Sequence, residues 1–375
     1  MIYLDNAATT YPKPPGVLAA VEYALRACGG NPGRSSHALS LRASEEIDRV
    51  RAGLSDLLGV PDPDHIVFTL NATHALNLAI RTRARRGTHI LISDREHNAV
   101  YRPVCRLCRK GIADFDVFTT HGSVRRNILA LLRPETDMLI CNHVSNVDGA
   151  VAPVEEIGRV CRERGIYFIL DASQSMGHIP VHPLEIGADA VCAPGHKGLF
   201  GIPGAGFAWL KSAAGLSSFM DGGSGSYSLS PEMPPDLPER MEAGTLPTPA
   251  ILSMGAGIRY IQGLTLGAIA ERENALLCRL RDRLQGMRGV HLFAAPHGSV
   301  LSFVCGDMPP DQLTAELDRR NICVRSGLHC APLAHAAIGT QRSGTVRVSF
   351  SCMNTMREVD TLAAALTEIL AGGAE

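Results

Sequence analysis

The sequence lacks any block of like charge. Its 375 residues hold 36 Lys and Arg against 37 Asp and Glu, a formal net charge of -1. With no basic face or tail, there is no electrostatic footprint for nucleic acid or an anionic membrane surface. No apolar run approaches the about 18 residues that a membrane-spanning helix needs. The opening Met1-Ile-Tyr-Leu-Asp5 lacks the basic and apolar regions of a secretory signal, so a cytoplasmic location is expected. Internal repeats and low-complexity tracts are also missing. Cys105 and Cys108 form one C-x-x-C, but no second pair follows at zinc-site spacing. That pair is therefore assigned to helix packing, and no metal site is expected. Most of the eleven cysteines lie in apolar runs, as Cys141 and Cys192 do, where a free thiol acts as a small buried hydrophobe.

Charged residues are 19% and hydrophobic residues 45% of the chain, as in an ordinary globular enzyme long enough for two domains. Between about residues 60 and 210, short apolar runs alternate with longer stretches of helical spacing. The runs 66–70, 89–93, 138–142, 166–170 and 188–192 read as strands, and 73–80 and 154–161 as helices between them. This alternation predicts an α/β fold with a mainly parallel sheet buried on both faces. A Gly/Ser/Pro-rich tract, 222–238, is too long for a turn and reads as a functional or interface loop. Beyond it, helices are expected at 249–264, 269–284, 310–320 and 356–370, with strands at 299–305 and 345–350. The change of texture predicts a smaller α+β C-terminal domain.

In an open parallel sheet, ligands gather at the carboxyl ends of the strands. Asp171 follows one apolar run, with Gln174 three residues on. A carboxylate at the end of a buried strand is costly unless paired, although a helix N-cap is an alternative use. Lys197 lies in Ala193-Pro-Gly-His-Lys-Gly198, where glycines permit close backbone approach. By itself it would pass for a surface lysine, and the G-x-x-x-x-G-K-S/T spacing of a phosphate loop is absent. Asn71, Ala72 and Thr73 stand between a strand and a helix, a natural phosphate site if they are not merely a cap. His97 and Asn146 follow two further runs. Cys330, in Arg325-Ser-Gly-Leu-His-Cys330, is the cysteine least like a core residue. Positive charge from Arg325 and His329 is expected to favour its thiolate. Arg347, on an alternating strand soon after, is suited to grip a carboxylate.

Six ordered blocks resemble the cysteine desulfurase family among the fold-type-I pyridoxal phosphate enzymes of the class V aminotransferase group. They are Tyr3-Leu-Asp-Asn-Ala-Ala-Thr-Thr10, His143-Val-Ser-Asn-Val-Asp-Gly149, Gly195-His-Lys-Gly198, Glu242-Ala-Gly-Thr245, Arg325-Ser-Gly-Leu-His-Cys330 and Gly344-Thr-Val-Arg-Val-Ser349. The resemblance implies that Lys197 carries pyridoxal 5'-phosphate as a Schiff base and that Asp171 pairs with the ring nitrogen. Gln174 would contact the phenolic oxygen, and His97 would stack on the ring and shuttle protons. Ala72, Thr73 and His196 would lie at the phosphate, with Thr245 reaching it from a second subunit of a homodimer with shared active sites. Asn146, Arg325 and Arg347 would orient L-cysteine or L-selenocysteine, and Cys330 would accept the sulfur as a persulfide. The short span from Cys330 to Arg347 is similar to the group with a compact cysteine loop, close to selenocysteine lyases, and implies a dedicated sulfur-acceptor protein.

The expected division is an N-terminal segment, 1–15, packing on the small domain, then a large cofactor-binding domain, 16–250, and a small domain, 251–375. Two positions depart from the family pattern. Pro194 stands where many relatives have a hydroxyl residue, and Pro247 stands where an Asn is common. A selenocysteine lyase, another enzyme of this fold, and a non-catalytic scaffold are the competing expectations.

Overall fold

The computed structural model describes residues 1–33, 36–306 and 308–372. The last residues of the expected small-domain block, 373–375, lie outside the described residues. In chain order the elements begin with β1 (Ile2–Tyr3), α1 (Pro15–Ala27), α2 (Ala38–Leu58), β2 (Ile66–Thr69), α3 (Ala72–Arg83) and β3 (Thr88–Ser93). Then come α4 (Asn98–Arg109), β4 (Ala113–Phe118), α5 (Val124–Leu129), β5 (Thr136–Asn142), α6 (Val154–Arg164) and β6 (Tyr167–Asp171). They continue with α7 (Pro183–Ile186), β7 (Ala190–Pro194), β8 (Gly206–Leu210), α8 (Thr248–Leu264) and α9 (Leu266–Leu284). The last are β9 (Val290–Ala294), β10 (Val300–Cys305), α10 (Pro310–Arg319), β11 (Ile322–Cys323), β12 (Arg325–Gly327), α11 (Pro332–Ala337), β13 (Thr345–Ser349) and α12 (Met356–Gly372).

A seven-stranded sheet runs β2-β8-β7-β6-β5-β3-β4. Strands β7, β6, β5, β3 and β4 are parallel to their neighbours among themselves, whereas β8 is antiparallel to both β2 and β7. Alternation of side chains sends each strand's residues to two cores. Leu91, Leu139, Phe168, Val191 and Phe207 face one core with α1, α2 and α8. Ile92, Ile140, Ile169, Cys192 and Ala208 face the other with α3 and α4. Both faces are thus covered, which explains why these strands read as unbroken apolar runs.

Two strands of the seven-stranded sheet escaped the sequence reading. Ala113–Phe118 is an edge strand whose Asp114 and Asp116 point to solvent and pair with Arg133, so it carries no apolar run. Gly206–Leu210 returns antiparallel after the glycine-rich turn that follows Lys197.

A second, antiparallel sheet, β12-β13-β10-β9, packs against α9, α10 and α12 through Leu277, Leu280, Leu317, Leu362 and Leu366. Leu4 is buried in the same cluster, and β1 pairs with β11 in parallel. The N-terminal segment also reaches the large sheet: Thr10 N–H donates to the His196 carbonyl (3.1 Å) and Thr10 Oγ1 to the Lys197 carbonyl (2.8 Å).

Helix α8 crosses the expected boundary at 250/251 and buries Ile251, Met254 and Ile258 in the first core of the large sheet. Pro247 is its N-cap and supplies no side-chain capping hydrogen bond. The tract 222–238 forms neither helix nor strand, and Leu229 within it is fully exposed. Among the described residues, no helix is long and apolar enough to cross a membrane.

Helix α8 also carries Gly257 against the loop after Lys197, where an added Cβ would lie 1.8 Å from the Leu199 carbonyl oxygen. Gly257→Ala is therefore expected to push this loop outward and to destabilise the fold by about 1–3 kcal/mol, read from the urea unfolding midpoint.

Candidate active site

Five strand ends of the large sheet converge on one cleft, lined by Ala72, Thr73, His97, Asn142, Asn146, Asp171, Gln174, Pro194, His196 and Lys197. The wall from β2 is the start of α3. Asn71 caps that helix by accepting the His74 amide (2.9 Å), so it is a cap as well as a cleft residue. The amides of Ala72 and Thr73 remain directed beyond the helix end, where they favour an anion.

The floor comes from β6 and β7. Asp171 is buried, and its Oδ1 accepts the Ser173 amide (2.9 Å). Burial raises its pKa above the ordinary carboxyl value, an effect that the Ser173 contacts and Lys197 oppose. Lys197 is only partly exposed, and burial lowers its amine to about 8 against the pull of Asp171. The loop that carries it fits because two glycines stack. A Cβ on Gly198 would lie 2.2 Å from the Met176 carbonyl oxygen, and one on Gly177 would lie 2.3 Å from that of Gly198.

His97 caps α4, its Nδ1 accepting the Ala99 amide (3.0 Å), which leaves the proton of the neutral ring on Nε2. Burial, with Lys197, Arg325 and Arg347 nearby, lowers it to about 4, so the ring is neutral near pH 7. His196 is lowered to about 4 by burial, and its Nδ1 is a buried atom with no partner. Gln174 is fixed by donating from Nε2 to the Ala7 carbonyl (2.9 Å).

Cys330, Arg325, Arg347 and Thr245 do not line the cleft, but Cys330 and Arg347 are tied to its rim. Asn98 N–H donates to the Cys330 carbonyl (2.7 Å), and Asn146 Nδ2 donates to the His329 carbonyl (2.8 Å). These two bonds hold His329 and Cys330 in the left-handed region, at φ 47 and 56. Such backbone costs about 1–3 kcal/mol per residue, so it persists only where its surroundings fix it. Cys330 itself is exposed. His329 is buried, and burial with the nearby arginines drives it down to about 2. It lends no positive charge to the thiol, contrary to the expectation from sequence.

Arg347 is 1% exposed, donating from one terminal nitrogen to the Asn146 carbonyl (3.0 Å) and from the other to Asp5 Oδ1 (2.6 Å). Thr245 is exposed, beyond a buried clamp in which Arg51 grips both carboxylate oxygens of Glu242 (3.0 and 3.1 Å). Cys105 and Cys108 lie half-buried on α4. Among the described residues, no group of three or more His, Cys, Asp or Glu is arranged to hold a metal ion.

The profile of the family described as Aminotransferase class-V matches residues 2–362. The chain belongs to the class-V aminotransferase family. A relative in Methanothermobacter thermautotrophicus, named a probable cysteine desulfurase, is 32% identical over 99% of this chain and 95% of its own. The apo structure of the cysteine desulfurase from Thermococcus onnurineus is 30% identical, with a TM-score of 0.88 over 99% of this chain and 95% of that one. The Escherichia coli cysteine desulfurase CsdA also superposes at 0.88, with 25% identity over 98% and 94% of the two chains. The large parallel sheet and smaller antiparallel sheet are thus the family's fold.

Three groups that shape the site had no signal of their own in the sequence. Asp5, Thr9 and Thr10 lie in the first family block, but only folding brings them to Arg347 and the Lys197 loop. Lys13 donates to the His196 carbonyl (2.8 Å), and burial lowers its amine to about 8. Glu96, beside His97, is fully buried, accepting from Ser93 Oγ (2.5 Å) and the Asn142 amide (2.7 Å). Burial raises it to about 8, so it is mostly protonated near pH 7.

A folded pKa above the ordinary 4.5 gives stability that is full below 4.5 and is lost as pH rises through about 8. Glu96→Gln keeps the acceptor without the ionisation. The unfolding midpoint of wild type is expected to fall relative to that of the variant between those pH values. Parallel pH curves would show that Glu96 is ionised throughout.

Proposed function

We propose that the chain is a pyridoxal 5'-phosphate-dependent cysteine desulfurase that converts L-cysteine to L-alanine and leaves the sulfur on Cys330 as a persulfide. The observation that carries this reading is an exposed cysteine tied to the rim of a cleft whose floor is Lys197 beside Asp171. The cleft suits the cofactor group by group. The start of α3 offers Ala72 and Thr73 amides to a phosphate, and His196 has a free buried nitrogen. Asp171, buried at the floor, would pair with a protonated ring nitrogen, while Lys197 would hold the cofactor's aldehyde carbon and Gln174 its phenolic oxygen. Pro194 supplies no hydroxyl to this site.

When bound, the cofactor supplies an electron sink for the negative charge that develops at the substrate's Cα. The residues of the chain do the rest. Arg347, with Arg325 and Asn146, orients the substrate; Asn146 Oδ1 is buried with no partner and is free to accept from the substrate's amine. Lys197, with an amine lowered to about 8, moves a proton at Cα. Neutral His97, on the cleft wall with its proton on Nε2, would relay protons through that nitrogen. Cys330 Sγ then forms a bond to the substrate's sulfur as the Cβ–S bond breaks, giving alanine and a persulfide.

Thr245, exposed and not among the residues lining its own cleft, fits a role at the phosphate of a second copy in a homodimer with shared sites. The short cysteine loop, fixed by two hydrogen bonds, favours a dedicated acceptor protein over a mobile sulfur-delivering arm. Eleven free cysteines suit a reducing cytoplasm.

Purified protein is expected to show a cofactor absorbance band that Lys197→Ala removes, along with alanine release from L-cysteine. Cys330→Ala should keep the band, lose alanine release by about a hundredfold or more, and show no persulfide by mass spectrometry. Retained turnover of L-cysteine in that variant would overturn the sulfur-accepting role. Loss with cysteine but retention with selenocysteine would make the enzyme a selenocysteine lyase.

A further inference from the structure

Asp5 and Arg347 meet from opposite ends of the chain. Asp5 Oδ1 accepts one terminal nitrogen of Arg347 at 2.6 Å, while the Asn146 carbonyl accepts the other at 3.0 Å. Arg347 Nε is buried and has no partner, so the guanidinium keeps a donor for a further acceptor. Across the β12–β13 pair, Arg347 stands directly opposite Arg325. Like charges at facing positions repel, and Arg347 is almost fully buried. Asp5 offsets one of the two cations, which leaves a single positive charge to meet one anionic carboxylate.

The Asp5 side chain is not needed to hold its own segment. Ile2 N–H donates to the Asn321 carbonyl (2.8 Å), Leu4 N–H to that of Cys323 (2.9 Å), and Ser349 N–H to that of Leu4 (2.8 Å). Asn6 Nδ2 donates to the Ser349 carbonyl (3.0 Å), and the Ala7 amide donates to Ser349 Oγ (2.8 Å). The segment is therefore placed by bonds on both sides of residue 5, and its carboxylate is directed to Arg347.

We propose that Asp5 is a positioning residue for the substrate's α-carboxylate: it fixes the Arg347 guanidinium and balances the Arg347–Arg325 pair so that one amino-acid carboxylate is gripped. The inference rests on the cysteine desulfurase reading and on Arg347 as the carboxylate-binding arginine.

The test uses the cofactor-loaded protein as wild type, Asp5→Asn, Arg347→Gln and the double variant. Isothermal titration calorimetry with L-alanine and with ethylamine, which has the amine but no carboxylate, separates carboxylate recognition from all else. Asp5→Asn is expected to weaken L-alanine by about tenfold and ethylamine by less than about twofold, with the KM for L-cysteine raised about tenfold and kcat within about threefold. Arg347→Gln should abolish the preference for L-alanine, and adding Asp5→Asn to it should change nothing further. Equal weakening of both amines by Asp5→Asn, or a fall in kcat at unchanged KM, would assign Asp5 a structural role and overturn the proposal. If Arg347→Gln keeps the preference, Arg347 is not the carboxylate grip and the proposal fails with it. Loss of alanine release in wild type alongside intact discrimination would instead count against the desulfurase reading alone.

Discussion

Ionisable groups at the carboxyl edge of the large sheet are held out of water by the same close packing that gathers them. Asp171 and Glu96 are pushed toward their protonated forms, Lys197 is lowered to about 8, and His97 and His196 are kept neutral. Burial is the largest cause in every case, because a charge removed from water loses its hydration and the group adopts its neutral form. The result is a cleft whose two imidazoles are neutral and whose lysine and carboxyl groups are drawn toward their neutral forms, with a helix start on one wall. A ligand with an anionic phosphate and a protonated ring nitrogen would restore the charge that the fold suppresses.

The cleft also depends on joining distant parts of the chain. Backbone bonds from Ile2 and Leu4 tie the N-terminal segment to β11 and its continuation, while Thr9, Thr10 and Lys13 bond to the carbonyls of His196 and Lys197. From the other side, Asn98 and Asn146 hold the carbonyls of Cys330 and His329. The lysine loop and the cysteine loop are therefore fixed to one frame, although they belong to different sheets. Two consecutive non-glycine residues with positive φ show how firmly the cysteine loop is set. Glycines at 177, 198 and 257 let backbone approach backbone where any side chain would hold them apart.

Much of the fold was legible because burial on both faces leaves an unbroken apolar run. β2, β3, β5, β6 and β7 all announced themselves in this way, and the helices between them showed their spacing. The edge strand β4 did not, since half its side chains meet solvent. The division at 250/251 could not be placed from composition, because α8 is apolar enough to suit either domain and only packing against α1 and α2 assigns it. Asp171, Lys197, His97 and Thr73 were visible as polar residues just after apolar runs, a position that a parallel sheet turns into a common cleft.

By itself, the sequence determined five strands of the large sheet, β2, β3, β5, β6 and β7, which polar residues end them, and which ordered blocks mark the family. Those properties are local, carried by the alternation of apolar and polar residues and by motif spacing. Tertiary structure alone decided that Asp5 meets Arg347, that Glu96 is protonated beside His97, and that His329 is too buried to charge the cysteine loop. Each of these depends on how far a group is removed from water and on what faces it across the fold. No window of sequence contains either quantity, because both arise from the packing of separate segments, 46 residues apart for Glu96 and Asn142 and 342 apart for Asp5 and Arg347.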